Sequence, residues 1–141
     1  MTNPKVETER LLNLVLPFAE QMLGEHGEFF PFAGALRPSG EFVSISGYDG
    51  REHPPSKDVI DLLESGLRQN AGAGEYVATA LVYDVRITAP SASLQTDAIA
   101  AELEHRDGYA VTVYFPYTIT DGKPVLAEPF ATADSRSIFS T

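Results

Sequence analysis

Apolar residues recur at helical spacing near the start of the chain. Leu11, Leu14, Val15, Phe18, Met22 and Leu23 form one stripe, which predicts a helix over about residues 6–26. Pro17 falls inside it. It removes a backbone donor and should kink the helix, leaving the Asn13 carbonyl without its usual partner. Gly24 and Gly27 are suitable stop residues. Next comes EFFPFAGALRPSGEFVSIS, in which two apolar runs flank Arg37, Pro38, Ser39 and Gly40. Proline presets its backbone angle and glycine accepts positive φ, so the pattern predicts a hairpin pairing about residues 30–36 with 42–46. Pro31 suits a strand start or an edge.

A second helix is predicted from Ser56, read as its N-cap, to about residue 69. Val59, Ile60, Leu63 and Leu67 make its buried face. The AGAGEY run at residues 71–76 ends this helix rather than cradling a phosphate. A phosphate loop would need a strand before it and a helix after it, the reverse of the order here. In YVATALVYDVRI, Val77, Leu81, Tyr83, Val85 and Ile87 share a face, so a strand is expected. The stretch DAIAAELEHRDGYAVTVYFPY then reads as a second hairpin. KPVLAEPFATADSRSIF adds a short edge strand and a tail held by Phe130, Ile138 and Phe139.

The second hairpin contains His105-Arg106-Asp107, the tripeptide that carries the catalytic aspartate in protein kinases. Register decides what it is here. A two-residue turn at Asp107-Gly108 would mix polar and apolar side chains on each face. A three-residue loop, Arg106 to Gly108, sets Leu103 opposite Val111, Ala101 opposite Val113 and Ile99 opposite Phe115. Glu104 then faces Ala110, Glu102 faces Thr112 and Ala100 faces Tyr114. A half-buried sheet selects that separation, because a slip of one residue turns every side chain over. Gly108 supplies the positive φ that ends such a loop. The downstream kinase motifs are absent.

The element order α-β-β-α-β-β-β predicts one α+β domain: an antiparallel sheet of about five strands with helices packed against it. A profilin- or roadblock-like arrangement has this order, and a cystatin-like roll is the alternative. No internal repeat, low-complexity segment or domain boundary interrupts the 141 residues. A chain of this length buries roughly 68–70% of its unfolded surface, enough for a real core.

Charge narrows the partners. Twenty acidic residues against ten basic ones give a formal net charge of −10. Such a surface repels nucleic acid and anionic membranes and suits a basic protein partner. With no cysteine, disulfides and thiolate chemistry are excluded. The opening MTNPKVETER lacks an apolar core, so no signal peptide is expected, and no apolar run approaches membrane-spanning length. A cytoplasmic protein is the expectation.

Candidate chemistry is sparse. His26, His53 and His105 each neighbour acids, but none pairs with another at the spacing of a helical zinc site. No serine-nucleophile elbow is present. No catalytic, cofactor-binding or metal-ligating set is therefore assigned, and a non-enzyme without a cofactor is expected. The loop GYDGREHPP concentrates Tyr48, Asp49, Arg51 and His53 and is the candidate for a small-molecule site. On the polar face of the second hairpin, Tyr114 beside Thr112, Ala100 and Glu102 makes a low, partly apolar patch suited to a protein partner or to self-association. Cover by the C-terminal segment or the first helix is the competing reading of that patch.

The runs FFPFAGALRPSGEF and DAIAAELEHRDGYAVTVYFPY, with the closing SIF, resemble a group of small bacterial proteins. The group shares the Phe-x-Pro-Phe stretch before a hairpin and the Leu-Glu-His-Arg-Asp-Gly turn. The resemblance covers most of the chain and implies a bacterial, cytosolic domain without a defined activity. By size and acidity the chain is also similar to immunity factors that inhibit toxins, an analogy carried by no motif. The function expected is a non-enzymatic interaction or self-associating module. An immunity-type inhibitor, or a small-molecule sensor or hydrolase using the 47–55 loop, is the alternative.

Overall fold

A computed structural model describes residues 3–46, 55–88, 95–133 and 138–139. Among these residues the chain forms α1 (Pro4–His26), β1 (Phe32–Leu36), β2 (Phe42–Ser46), α2 (Ser56–Gly72), β3 (Ala78–Thr88), β4 (Gln95–His105), β5 (Tyr109–Thr120), β6 (Lys123–Leu126) and β7 (Phe130–Ala133). The fold is α+β, with two helices and a seven-stranded antiparallel sheet. No helix among the described residues is long and apolar enough to cross a membrane.

Local chemistry sets the element ends. Asn3 caps α1, its side chain accepting the Lys5 N–H, and Gly27 closes the helix in the left-handed conformation with its N–H on the Leu23 carbonyl. Gly27, not Gly24, is therefore the stop. Helix α2 starts differently from the expectation: Pro55 occupies the cap, no side chain caps the helix, and Ser56 is its first residue.

The sheet runs β2-β1-β3-β4-β5-β6, and β7 also pairs with β5. The β4–β5 ladder has the register selected by hydrophobic alternation, with Leu103 opposite Val111 and Ile99 opposite Phe115. Arg106 to Gly108 form the loop, Gly108 has φ 102°, and its N–H bonds the His105 carbonyl. The His-Arg-Asp run is a turn. The estimate of about five strands falls short by two because it leaves out the C-terminal edge, which holds both β6 and β7 where the sequence predicts one short strand. Both pair with β5, β6 from Tyr117 onward and β7 before Phe115. Residues 127–129 span a stretch where β5 has only two residues, so the edge bulges there.

Alternation gives the sheet two faces. One presents Phe32, Leu36, Ala80, Val82, Ile99, Ala101, Leu103 and Phe115, and Leu11, Val15, Ala19 and Leu23 of α1 pack on it. The other presents Ala33, Ala35 and Leu81 to Val59, Leu63 and Leu67 of α2, and Ile138 joins that layer. One helix on each face thus encloses the sheet. The apolar stripe of α1 is wider than its buried strip. Leu14 and Phe18 are 41% and 47% exposed, because the sheet buries the Leu11–Val15–Ala19–Leu23 line fully and its flanks Leu12, Leu16 and Met22 only in part.

At Gly34 a side chain of α1 lies directly against the sheet backbone. A Cβ there would lie 2.7 Å from Val15 Cγ1 and 2.9 Å from Phe42 Cε1. Replacing Gly34 with Ala therefore overpacks the α1–β1 contact. We expect Gly34→Ala to lower unfolding stability by about 1–3 kcal/mol in urea titration. A neutral or stabilising effect would show that α1 moves away freely.

Candidate functional site

The sheet-face patch expected from the sequence is largely covered. Ala100 is fully buried and Thr112 is 4% exposed. Tyr114 is half-buried and stacks on Phe130 of β7, with ring centroids 5.2 Å apart. Glu102 accepts a 2.6 Å hydrogen bond from the Tyr83 hydroxyl. The four residues do share one face, but Ala100 and Thr112 offer no surface to a partner. Phe130 of the edge strand stacks on Tyr114, and the C-terminal segment meets this face at Glu104.

Glu104, two residues along on this face, holds that segment. Its carboxylate is buried and accepts the Ile138 N–H at 3.1 and 3.0 Å and the Phe139 N–H at 3.3 Å. Charge-assisted bonds of this kind are roughly twice as strong as neutral ones. They anchor Ile138 over the second layer.

His105 is buried as well, at the far end of β4. Its Nδ1 accepts the Asp107 N–H at 3.1 Å, so Nε2 carries the proton and donates to Glu7 Oε1 at 3.0 Å. The bond ties the start of α1 to the turn. The ring has no open side, so its role is structural. No group of three or more His, Asp or Glu among the described residues could hold a metal ion. Tyr48, Asp49, Arg51 and His53 lie outside the described residues.

The open surface is at the other end of the sheet, where the chain leaves α1 and enters β1. Phe29 and Phe30 are adjacent there, and the linker can bury only one of them: Phe29 is 7% exposed and Phe30 47%. Phe18 meets Phe32 edge-on at 4.8 Å, and Phe29 meets Phe32 at 5.9 Å. Between these rings lies an apolar groove of about 270 Å³, walled by Phe18, Met22, Phe29, Phe30, Pro31 and Phe32 and ending at Ser46. Phe29 and Phe30 also border an acidic cleft of about 300 Å³ containing Glu28, Asp84, Arg86 and Asp97.

Asp84 breaks the apolar face beneath α1. It is half-buried, and its Oδ1 accepts the Tyr117 hydroxyl at 2.8 Å. Burial raises its pKa above the usual carboxylate value, and the charges of Asp97 and Glu28 add to the rise, against the Tyr117 hydrogen bond. Burial, with the bond to Asp84, also pushes the Tyr117 phenol up. Arg86 is the cleft's cation, 3.8 Å from Asp97, and both of these side chains are more than half exposed. Such a pair contributes little.

Sequence reasoning did not find this site. Two signals pointed to it. FFPF places consecutive aromatics where only one can face inward, and Asp84 interrupts an otherwise apolar strand. No protein-family model, curated protein or solved structure matches the chain.

Two outcomes are expected. Glu104→Ala removes the acceptor of the tail N–H groups and should cost about 2–3 kcal/mol, with faster proteolysis after β7. Unchanged proteolysis would mean that Ile138 alone holds the tail. For Asp84, the folded-state pKa lies above the unfolded one. The native state then holds the extra proton, and stability falls as pH rises from the unfolded pKa through the folded one. Asp84→Asn should remove that loss, raising the neutral-pH melting point by no more than about 1 kcal/mol equivalent, given its half exposure. The gain should vanish in acid. A gain independent of pH would place its origin elsewhere.

Proposed function

We propose that the chain is a non-enzymatic protein-interaction module that binds another protein through the groove between α1 and β1. The observation that carries this reading is the pair of exposed phenylalanines, Phe18 and Phe30, on the rim of a groove that α1 and β1 leave open. Aromatic residues are enriched at protein interfaces and dominate their energetics. A different protein is favoured over a second copy. A copy would bring its own acidic cleft and a net charge of −10 against this one.

The likeness to small bacterial proteins adds a bacterial, cytosolic setting to the proposal. The profilin- or roadblock-like comparison rests on element order alone. The Tyr114 face is the competing docking surface, reduced by its burial to Tyr114 and Glu102.

One experiment separates the two surfaces. Tagged wild type, Phe30→Asp and Tyr114→Arg are used for pull-downs from the native host, with sedimentation of each protein alone. A partner kept by Tyr114→Arg and lost at least about tenfold by Phe30→Asp supports the groove. The opposite pattern moves the site to the sheet face. Captures that neither variant alters overturn binding through both surfaces. Phe30 is half exposed, and sedimentation of Phe30→Asp alone shows whether the variant keeps its fold.

A further inference from the structure

We propose that the groove and the acidic cleft form one trough for an extended basic segment of another protein. An apolar side chain sits among Phe18, Met22 and Phe30, and a neighbouring Arg or Lys reaches Asp84 and Asp97. This rests on the binding-module reading above and names the chemistry of the partner.

The two depressions share walls. Phe29 and Phe30 line both, and Glu28 stands at their junction beside Met22 and His26. Across Phe29 and Phe30 from the groove stand three carboxylates and, among the described residues, one arginine. Arg86 stands 3.8 Å from Asp97, and Asp84 accepts its hydrogen bond from the Tyr117 hydroxyl. Burial and like-charge neighbours already press Asp84 toward its neutral form. An arriving cation relieves that pressure, and its own desolvation is offset by a carboxylate oriented in advance by the Tyr117 hydroxyl.

The groove's described lining is apolar and the cleft's is charged, which suits a chain that offers both kinds of side chain in succession. The net charge of −10 steers a basic partner toward the molecule, and the apolar groove selects where it settles.

The test uses an array of short synthetic peptides. Each has a central Leu, Phe or Met anchor flanked by Arg, Ser or Glu, and control peptides carry Arg without an anchor. Hits are measured in solution by fluorescence anisotropy at low and high salt. The Arg-flanked anchors should bind at least about tenfold more tightly than the Ser-flanked ones at low salt, and the advantage should shrink at high salt. Asp84→Asn with Asp97→Asn should bring Arg-flanked affinity down to the Ser-flanked level and leave Ser-flanked binding unchanged. Asp97→Asn alone, at an exposed position, should show part of the same loss if the double variant folds poorly. Phe30→Asp should abolish both.

Equal affinity for Arg- and Ser-flanked anchors, or an Asn pair without effect, overturns the basic partner and leaves the groove standing. Anchor-free Arg peptides that bind as well and ignore Phe30→Asp overturn it too, as diffuse attraction to an acidic surface. Failure of every anchored peptide removes the groove reading, and this inference with it.

Discussion

The close approach of α1 to β1 at Gly34 sets the position of almost everything else. A helix lies flush on a sheet only where side chains leave room. Here the room is a missing Cβ, filled by Val15 and flanked by Phe42. With Val15 seated, Leu11, Ala19 and Leu23 fall in line over Leu36, Val82 and Ile99. The same seating turns Phe18 and Leu14 away from the sheet. Phe18 then reaches Phe32 only by its edge, and the space beside that contact is the groove. One glycine thus links the packing of the core to the shape of the surface.

The second face is solved by different means. Helix α2 covers Ala33, Ala35 and Leu81, but the neighbouring stretch of β4 and β5 carries Glu102, Glu104 and Thr112. Burying a carboxylate costs several kcal/mol unless it is hydrogen-bonded. Glu104 meets that requirement with tail backbone N–H groups, which themselves need acceptors once out of water. The polar residue and the irregular segment satisfy each other. Neither would be stable in that place alone, so the tail belongs to the fold.

These mechanisms explain what could be read in advance. The β4–β5 register follows from alternation because slipping by one residue would set Glu102 beneath α1 and take Leu103 out of that core, and the chain shows the register that avoids this. Gly40 and Gly108 adopt the positive φ their turns demand. The second edge strand was missed because a bulge at residues 127–129 interrupts the alternation that would reveal it. Tyr114 shares a face with Thr112, Ala100 and Glu102, but Phe130 stacks on it and Ile138 docks on Glu104 of the same face. Those contacts cross the sequence and leave no local pattern. Phe18 belongs to the apolar stripe of α1 yet stays half exposed for the converse reason. Helical spacing shows that residues share a stripe, not how wide a strip the sheet will cover.

Asp84 remains the position least explained by folding. It follows Ala78, Ala80 and Val82 on the face beneath α1, where another apolar residue would continue the core. Its partner Tyr117 is a core residue whose hydroxyl needs an acceptor, yet a Val–Phe pair would fill such a site without desolvating a carboxylate. Sequences that fold well agree with local rules almost everywhere, and the departures collect where function demands them. Here the departure sits at the mouth of the acidic cleft and shares that cleft with Glu28 and Asp97. The phenolic hydroxyl fixes the orientation of the carboxylate, and burial keeps water from screening it fully. A charge so placed costs the fold stability and is worth most to an incoming cation.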